Sequence, residues 1–496
     1  MDQQLHRDLL AKADQFVAAH EHEVNKRYYP NFHLAPRYGW INDPNGFCYA
    51  LGKYHIFYQF YPYDAKWGPM HWGHATSTDL IHWHHEPTAL APSEDYDQSG
   101  CFSGSAIEHD GKLYLIYTGH KVLVEAGDKS IVREVQALAV STDGVNFEKL
   151  GVVIEPEGEA PNPEAPQDYK GIQNFRDPKV WQDENKLFHV VFGATSLQNA
   201  GEIRHYTSTD LKNWTKVSII KEMEDNAFMY ECPDFFEVND HKWILATSPM
   251  GQAPVGYARQ NPSVNSWQSG TFDGTNFKAE GKLYEVDHGH DFYATQSALA
   301  PDGRRILLAW MNMWKLPFLN YGDHWCGALT LPREIFIKDD HIYQKPIAEV
   351  KSLRQQQYKI ADICTLTSSF KTLTTNSAVE LSFKFNPAQN QAEQYGIAIG
   401  NSIRLFVDRQ TKTLTLFRLD LNATSYRALP LNWDEEHELQ IFIDNSSIEV
   451  FIDGGHDTMT SNFFGTDHTV SLYATNGVAT VSNLEVYDLE RPLFNA

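Results

Sequence analysis

Basic residues are scarce in this 496-residue chain: 41 Lys and Arg stand against 64 Asp and Glu, a formal charge of −23. Such an acidic surface repels nucleic-acid phosphates and anionic lipid headgroups, so neither is an expected partner. Cysteine is also sparse. Cys48, Cys101, Cys232, Cys326 and Cys364 are odd in number, scattered, and lack the CxxC spacing of a zinc site, which implies a reducing compartment. No apolar run approaches membrane-spanning length, and Met1-Asp2-Gln3-Gln4-Leu5-His6-Arg7-Asp8 carries charges where a signal peptide has its apolar core. A cytoplasmic location is expected. Helical periodicity is nearly absent beyond residues 5–25, where Leu5, Leu9, Leu10, Ala13, Phe16 and Val17 mark a short outer helix.

Aromatics are abundant, with 24 Tyr, 28 Phe and 12 Trp, a composition that favours sheets. Two weak patterns recur. A polar turn with a trailing aromatic appears at Ser77 to Trp83, Ser141 to Phe147, Ser208 to Trp214 and Thr271 to Phe277, its Asp residues 64, 67 and 63 positions apart. A basic residue opens an apolar strand at Lys53, Lys112, Lys186, Lys242 and Arg305, with spacings of 59, 74, 56 and 63. Five units of this length, each long enough for four short strands, predict an all-β fold built on a five-bladed β-propeller.

The pattern stops at the polar stretch Lys351 to Gln357. Beyond it, alternation in 379–383, 403–407 and 439–443 predicts half-buried antiparallel strands of a C-terminal β-sandwich. The expected organisation is a helical extension over 1–28, the propeller over 29–345, a linker over 346–360 and the sandwich over 361–496.

Immediately before the basic-opened strands lie the unusual polar segments: Trp40-Ile41-Asn42-Asp43-Pro44-Asn45-Gly46, Cys101 to Ser105, Phe175-Arg176-Asp177-Pro178, Glu231-Cys232-Pro233-Asp234 and Asp291 to Gln296. As innermost strands they would bring Asp43, Asp177 and Glu231 together at the mouth of the central channel. Each Asp beside a Pro reads singly as turn chemistry. Together, like charges in an aromatic pocket push one pKa upward, which is how a general acid is made. Glycoside hydrolysis needs such a pair, one carboxyl to attack or activate water and one to protonate the leaving oxygen. His82, His84 and His85 would alternate across sheet faces, so no metal is assigned.

The ordered set of the Asn-Asp-Pro, Arg-Asp-Pro and Glu-Cys-Pro-Asp segments resembles the signatures of glycoside hydrolase family 32, the invertase family. The resemblance continues through Trp67 to His74, Phe102 to Ser105, Asp291 to Tyr293 and Gly327 to Glu334, and into Ser446 to Phe451. It implies a retaining β-fructofuranosidase without a cofactor, acting on sucrose, with Asp43 as nucleophile, Glu231 as acid/base and Asp177 stabilising the fructosyl transition state. Trp40, Ile41, Asn42, Gln59, Trp67, Phe102, Ser103, Arg176, Tyr293 and Trp310 are the expected substrate contacts. Sucrose-6-phosphate hydrolysis, fructan hydrolysis or transfer, and a silent carbohydrate-binding propeller are the alternatives. Oligomeric state has no signature in the sequence.

Overall fold

The computed structural model describes residues 3–127, 130–156, 174–220, 227–315, 318–420 and 423–491. The two ends of the expected domain scheme, 1–2 and 492–496, lie outside them. Among the described residues the protein is mostly β, with one α-helix, Gln3–His20. That helix differs in detail from the periodic reading. Leu5 is exposed, whereas His6, Ala13 and Val17 are buried, and Asp14 accepts the Thr88 N–H and hydroxyl.

Five antiparallel sheets follow in chain order, starting with the strands Gly39–Ala50, Gly100–His109, Phe175–Gln182, Met229–Glu237 and Tyr293–Leu299. Each of these initial strands packs against the next, and the last packs against the first, so they close a ring. The basic residues Lys53, Lys112 and Arg305 open the second strands, while Lys186 and Lys242 lie just before theirs. One element was not anticipated. Trp325–Cys326 leaves the fifth sheet's sequence to pair in parallel with Gly39 and Trp40 of the first.

In the first four sheets the recurrent turn Asp residues tie the third strand to the fourth. The Asp79 side chain accepts the N–H groups of Ile81 and His82, and Asp143, Asp210 and Asp273 repeat this at Val145 and Asn146, Lys212 and Asn213, and Thr275 and Asn276. The trailing aromatics then reach inward. Trp83, Phe147, Trp214 and Phe277 all pack on apolar clusters between neighbouring sheets. Such wedges separate every adjacent pair, including the fifth and first sheets, where Ile306 and Leu308 share a cluster with Ile56 and Tyr58.

The stretch expected as a linker is ordered. Ala348–Leu353 is a 3-10 helix that buries Val350 and Leu353, and a strand begins at Arg354. Hydrophobic anchoring at two positions was hidden by the polar residues around them. Two six-stranded sheets follow among the described residues and share one apolar core.

Candidate active site

All five initial strands carry a β-bulge at the same level. Against their second strands, Asn42 and Asp43 oppose Gln59; Asp177 and Pro178 oppose Phe192; Cys232 and Pro233 oppose Thr247; Ala294 and Thr295 oppose Ala309; and Ser103 is an unpaired insertion. A bulge re-aims side chains and tolerates a proline that cannot donate to the ladder. The Asp-Pro and Cys-Pro pairs are therefore bulges inside strands rather than turns. Asp177, Cys232 and Ala294 occupy the same bulge position, with φ of 65°, 47° and 56°. By this register Asp43 and Glu231 are not equivalent: Glu231 aligns with Ile41, and Asp43 lies two residues further on.

The three carboxylates meet through shared donors. Asp43 accepts the Ser103 hydroxyl at 2.7 Å and the Asn42 amide at 3.1 Å, and Trp40 Nε1 fixes that amide by donating to its oxygen at 2.7 Å. The Cys232 thiol touches Asp43 at 3.5 Å and Asp177 at 3.6 Å, while the Cys232 N–H donates to Asp177 at 2.9 Å. Glu231 accepts from Arg176 Nη2 at 2.8 Å and from the Tyr293 hydroxyl at 2.5 Å.

Burial pushes the Asp43 carboxyl above its usual range despite Ser103 and Asn42, and the Glu231 charge adds to the shift. Asp177 goes further, to about 8: burial and the charges of Glu231 and Asp43 overcome the opposing pull of Arg176. The Tyr293 phenol is also raised, by burial and then by Glu231, so it remains a donor. Proton exchange among such closely coupled groups belongs to the set rather than to one member. Asp177 thus keeps its proton near neutral pH beside Asp43 and Glu231, an environment of the kind that sets paired carboxyls apart.

Around the carboxylates, Trp40, Trp310, Trp314, Phe318 and Tyr321 form an aromatic cluster, with Trp40 and Trp314 stacked at 6.0 Å. Trp67, 48% exposed, meets the Phe102 edge at 6.1 Å, an apolar wall open to solvent on one side. Gln59 is buried and donates to the Cys101 carbonyl, joining the first and second sheets. Ile41 does not join this group. It is fully buried in the apolar wedge with Phe60 and Leu34, because strand alternation turns it away from its neighbours Trp40 and Asn42.

Sequence reasoning missed Glu134 and His120, which lie behind Arg176 and Phe102. Glu134 accepts Arg176 Nη1 at 3.2 Å, and His120 stacks on Phe102 at 3.9 Å. The only sequence signal was a pair of polar residues, Glu134 and Gln136, on a strand whose later residues are mainly apolar. Among the described residues, His341, His456 and Asp457 are the one group of three with metal-ligand spacing. The two rings stack 3.7 Å apart at 3°, so their lone pairs lie in separate parallel planes.

Comparison with known proteins agrees with this geometry. Residues 33–346 match the glycosyl hydrolases family 32 N-terminal domain, and residues 349–488 match the glycosyl hydrolases family 32 C terminal. The chain is 43% identical over 463 residues to an Escherichia coli raffinose invertase, covering 92% of this chain and 94% of that one. It is 41% identical over 491 residues to an Escherichia coli sucrose-6-phosphate hydrolase, covering 97% and 99%. The solved structure of a Bombyx mori GH32 beta-fructofuranosidase superposes with a TM-score of 0.83 at 33% identity, covering 97% of this chain and 98% of that one. With both domains matched and the relatives aligned almost end to end, this chain belongs to glycosyl hydrolase family 32 and is a glycoside hydrolase.

Proposed function

We propose that the protein is a retaining β-fructofuranosidase that hydrolyses sucrose. The observation that carries this reading is the convergence of Asp43, Asp177 and Glu231 from three separate strands onto one thiol and one guanidinium. Asp43 attacks the anomeric carbon of the fructosyl unit as the bond to the glucose oxygen breaks, and Glu231 delivers its proton to that oxygen. Water then attacks the anomeric carbon, returns a proton to Glu231 and releases Asp43 with fructose. Asp177 and Arg176 hold the fructosyl ring, with Asn42, Gln59, Ser103, Phe102, Trp40, Trp67, Tyr293 and Trp310 shaping its subsite. Retention requires the two carboxyl groups to stand about 5 to 5.5 Å apart. The ring of five sheets is read as a five-bladed propeller and the last two sheets as a β-sandwich. A cytoplasmic setting is consistent with the free thiols of all five cysteines.

Two measurements test the proposal. NMR of the fructose first released should show the β anomer, and release of the α anomer would exclude the double displacement. Comparison of kcat/KM for sucrose and sucrose 6-phosphate should favour the free sugar. The second reading, sucrose-6-phosphate hydrolysis, draws on the name of the 41%-identical Escherichia coli relative, and a large preference for the phosphorylated sugar would establish it instead.

A further inference from the structure

Glu134 lies on the third strand of the second sheet, Ile131–Ser141, and is 1% exposed. One oxygen accepts the Phe175 N–H at 2.8 Å and Arg176 Nη1 at 3.2 Å, and the other faces His120 Nδ1 at 3.1 Å. Both side-chain partners lead to the site. His120 sits directly across the strand pair from Glu134 and stacks on Phe102 with ring planes 5° apart. Arg176 sends its other terminal nitrogen to Glu231 at 2.8 Å, with Nε 3.9 Å from Asp177.

Burial opposes a charge on Glu134, but Arg176 and His120 outweigh it and hold the carboxyl at about 2. Glu134 therefore stays negative throughout the pH range in which the other carboxyls exchange protons. One guanidinium is shared between a permanently ionised carboxylate behind it and the reactive set in front. The groups facing Glu231 are Arg176, Tyr293, Asp177, Asp43 and Cys232, and Arg176 is the cation among them.

We propose that Glu134 is a positioning residue that aims Arg176 and divides its charge, limiting how strongly that cation opposes protonation of Glu231. This inference rests on the reading of Glu231 as acid/base. Without the Glu134 charge, Arg176 acts undivided on the carboxylates in front of it, and the acid loses its proton at lower pH.

The test is Glu134→Gln, which keeps shape and removes charge. The alkaline limb of kcat/KM for sucrose should move down by about half a pH unit, with roughly a threefold loss on that limb, a fraction of what a whole general acid contributes. A fructoside with a p-nitrophenolate leaving group, which departs without a proton, should show little change. Glu134→Asp draws the charge back by one methylene and should give a smaller shift in the same direction. Unmoved limbs, or equal losses on both substrates, would overturn the proposal in favour of a purely structural role. If the Gln variant does not fold, the Asp variant decides by the same criterion. Failure of the underlying reading is separable: Glu231→Gln would then lose no more activity on sucrose than on the aryl fructoside.

Discussion

Two buried ionic clusters in this molecule have similar ingredients and opposite electrostatics. One is the site, where Asp177, Glu231 and Glu134 surround a single guanidinium, Arg176, and Asp43 joins Asp177 through the Cys232 thiol. The other is the seam between the ring and the C-terminal sheets. There Arg333 binds Glu449 at 2.5 Å and Asp287 at 3.1 Å, and His33 sits between Asp444 at 2.8 Å and Glu449 at 2.7 Å. Burial pushes carboxyls up in both places. At the seam it loses: Asp444 and Glu449 are lowered, chiefly by His33 and Arg333 respectively, and His33 is raised to about 9 by the two carboxylates. At the site it wins for Asp43 and Asp177, the latter rising to about 8, while Glu134 behind Arg176 is held down. The difference lies in the supply of cations and donors. Thr458, Thr460 and the Asn31 and Leu331 N–H groups saturate the seam, whereas the site leaves like charges facing one another. The matched seam is the arrangement expected to serve stability, and the unmatched site the one expected where stability is given up for reactivity.

The largest contrast comes from removing one carboxylate from each cluster. Asp43→Ala should lower kcat by about 10⁴-fold or more while leaving the melting temperature unchanged or higher, since it relieves repulsion. Substantial turnover in that variant would remove Asp43 from the nucleophile's role. Glu449→Ala should instead cost about 3–5 kcal/mol of stability by leaving Arg333 and His33 buried without their partner, with kcat per folded molecule little altered. Denaturant unfolding and active-site titration separate the two effects. A seam variant as stable as the parent would end the comparison.

A smaller effect is expected at Tyr293, whose hydroxyl donates to Glu231. A hydrogen bond to a charged group contributes about 1.5–3 kcal/mol, so Tyr293→Phe should lower kcat by about 10- to 150-fold with an intact fold. An unchanged kcat would place that donor outside the reaction.

A further effect is in stability against pH. Asp177 keeps its proton to about 8 in the folded protein but releases it near 3.9 when unfolded. The folded state therefore binds more protons between those values, and stability falls as pH rises through that window. His33 adds a second decline: its contribution is complete below about 6.5 and is lost as pH passes through about 9. The lowered Asp444 and Glu449 act oppositely, contributing above the ordinary carboxyl range and losing that contribution as pH falls. Asp177→Asn should flatten the decline in melting temperature between pH 4 and 8 and leave the His33 portion in place. Identical slopes in parent and variant would mean that Asp177 is not held protonated.

Much of the ring was legible because its cues are local. A basic residue opening an apolar run and an Asp capping two following N–H groups involve neighbours in sequence, and each recurs at nearly constant spacing. The three carboxylates were legible for the same reason, since each stands in a short polar segment at the head of a unit. Glu134 was not legible, because its partners Phe175 and Arg176 lie 41 and 42 residues away across a sheet boundary. Ile41 was misread because its motif runs along both faces of a strand. The polar stretch before Arg354 hid its anchoring for a related reason: burial of Val350 and Leu353 depends on the surface they meet.

By itself, then, the sequence determined the all-β character, the repeat, the acidic surface and the three candidate carboxylates, all properties of short segments and composition. Tertiary structure decided which of those groups share a proton, which share Arg176, and which are neutralised at the seam. Bulges align only against a paired strand, and a pKa depends on charges and solvent exclusion within a few ångströms, distances that exist only once the fifth inner strand packs against the first.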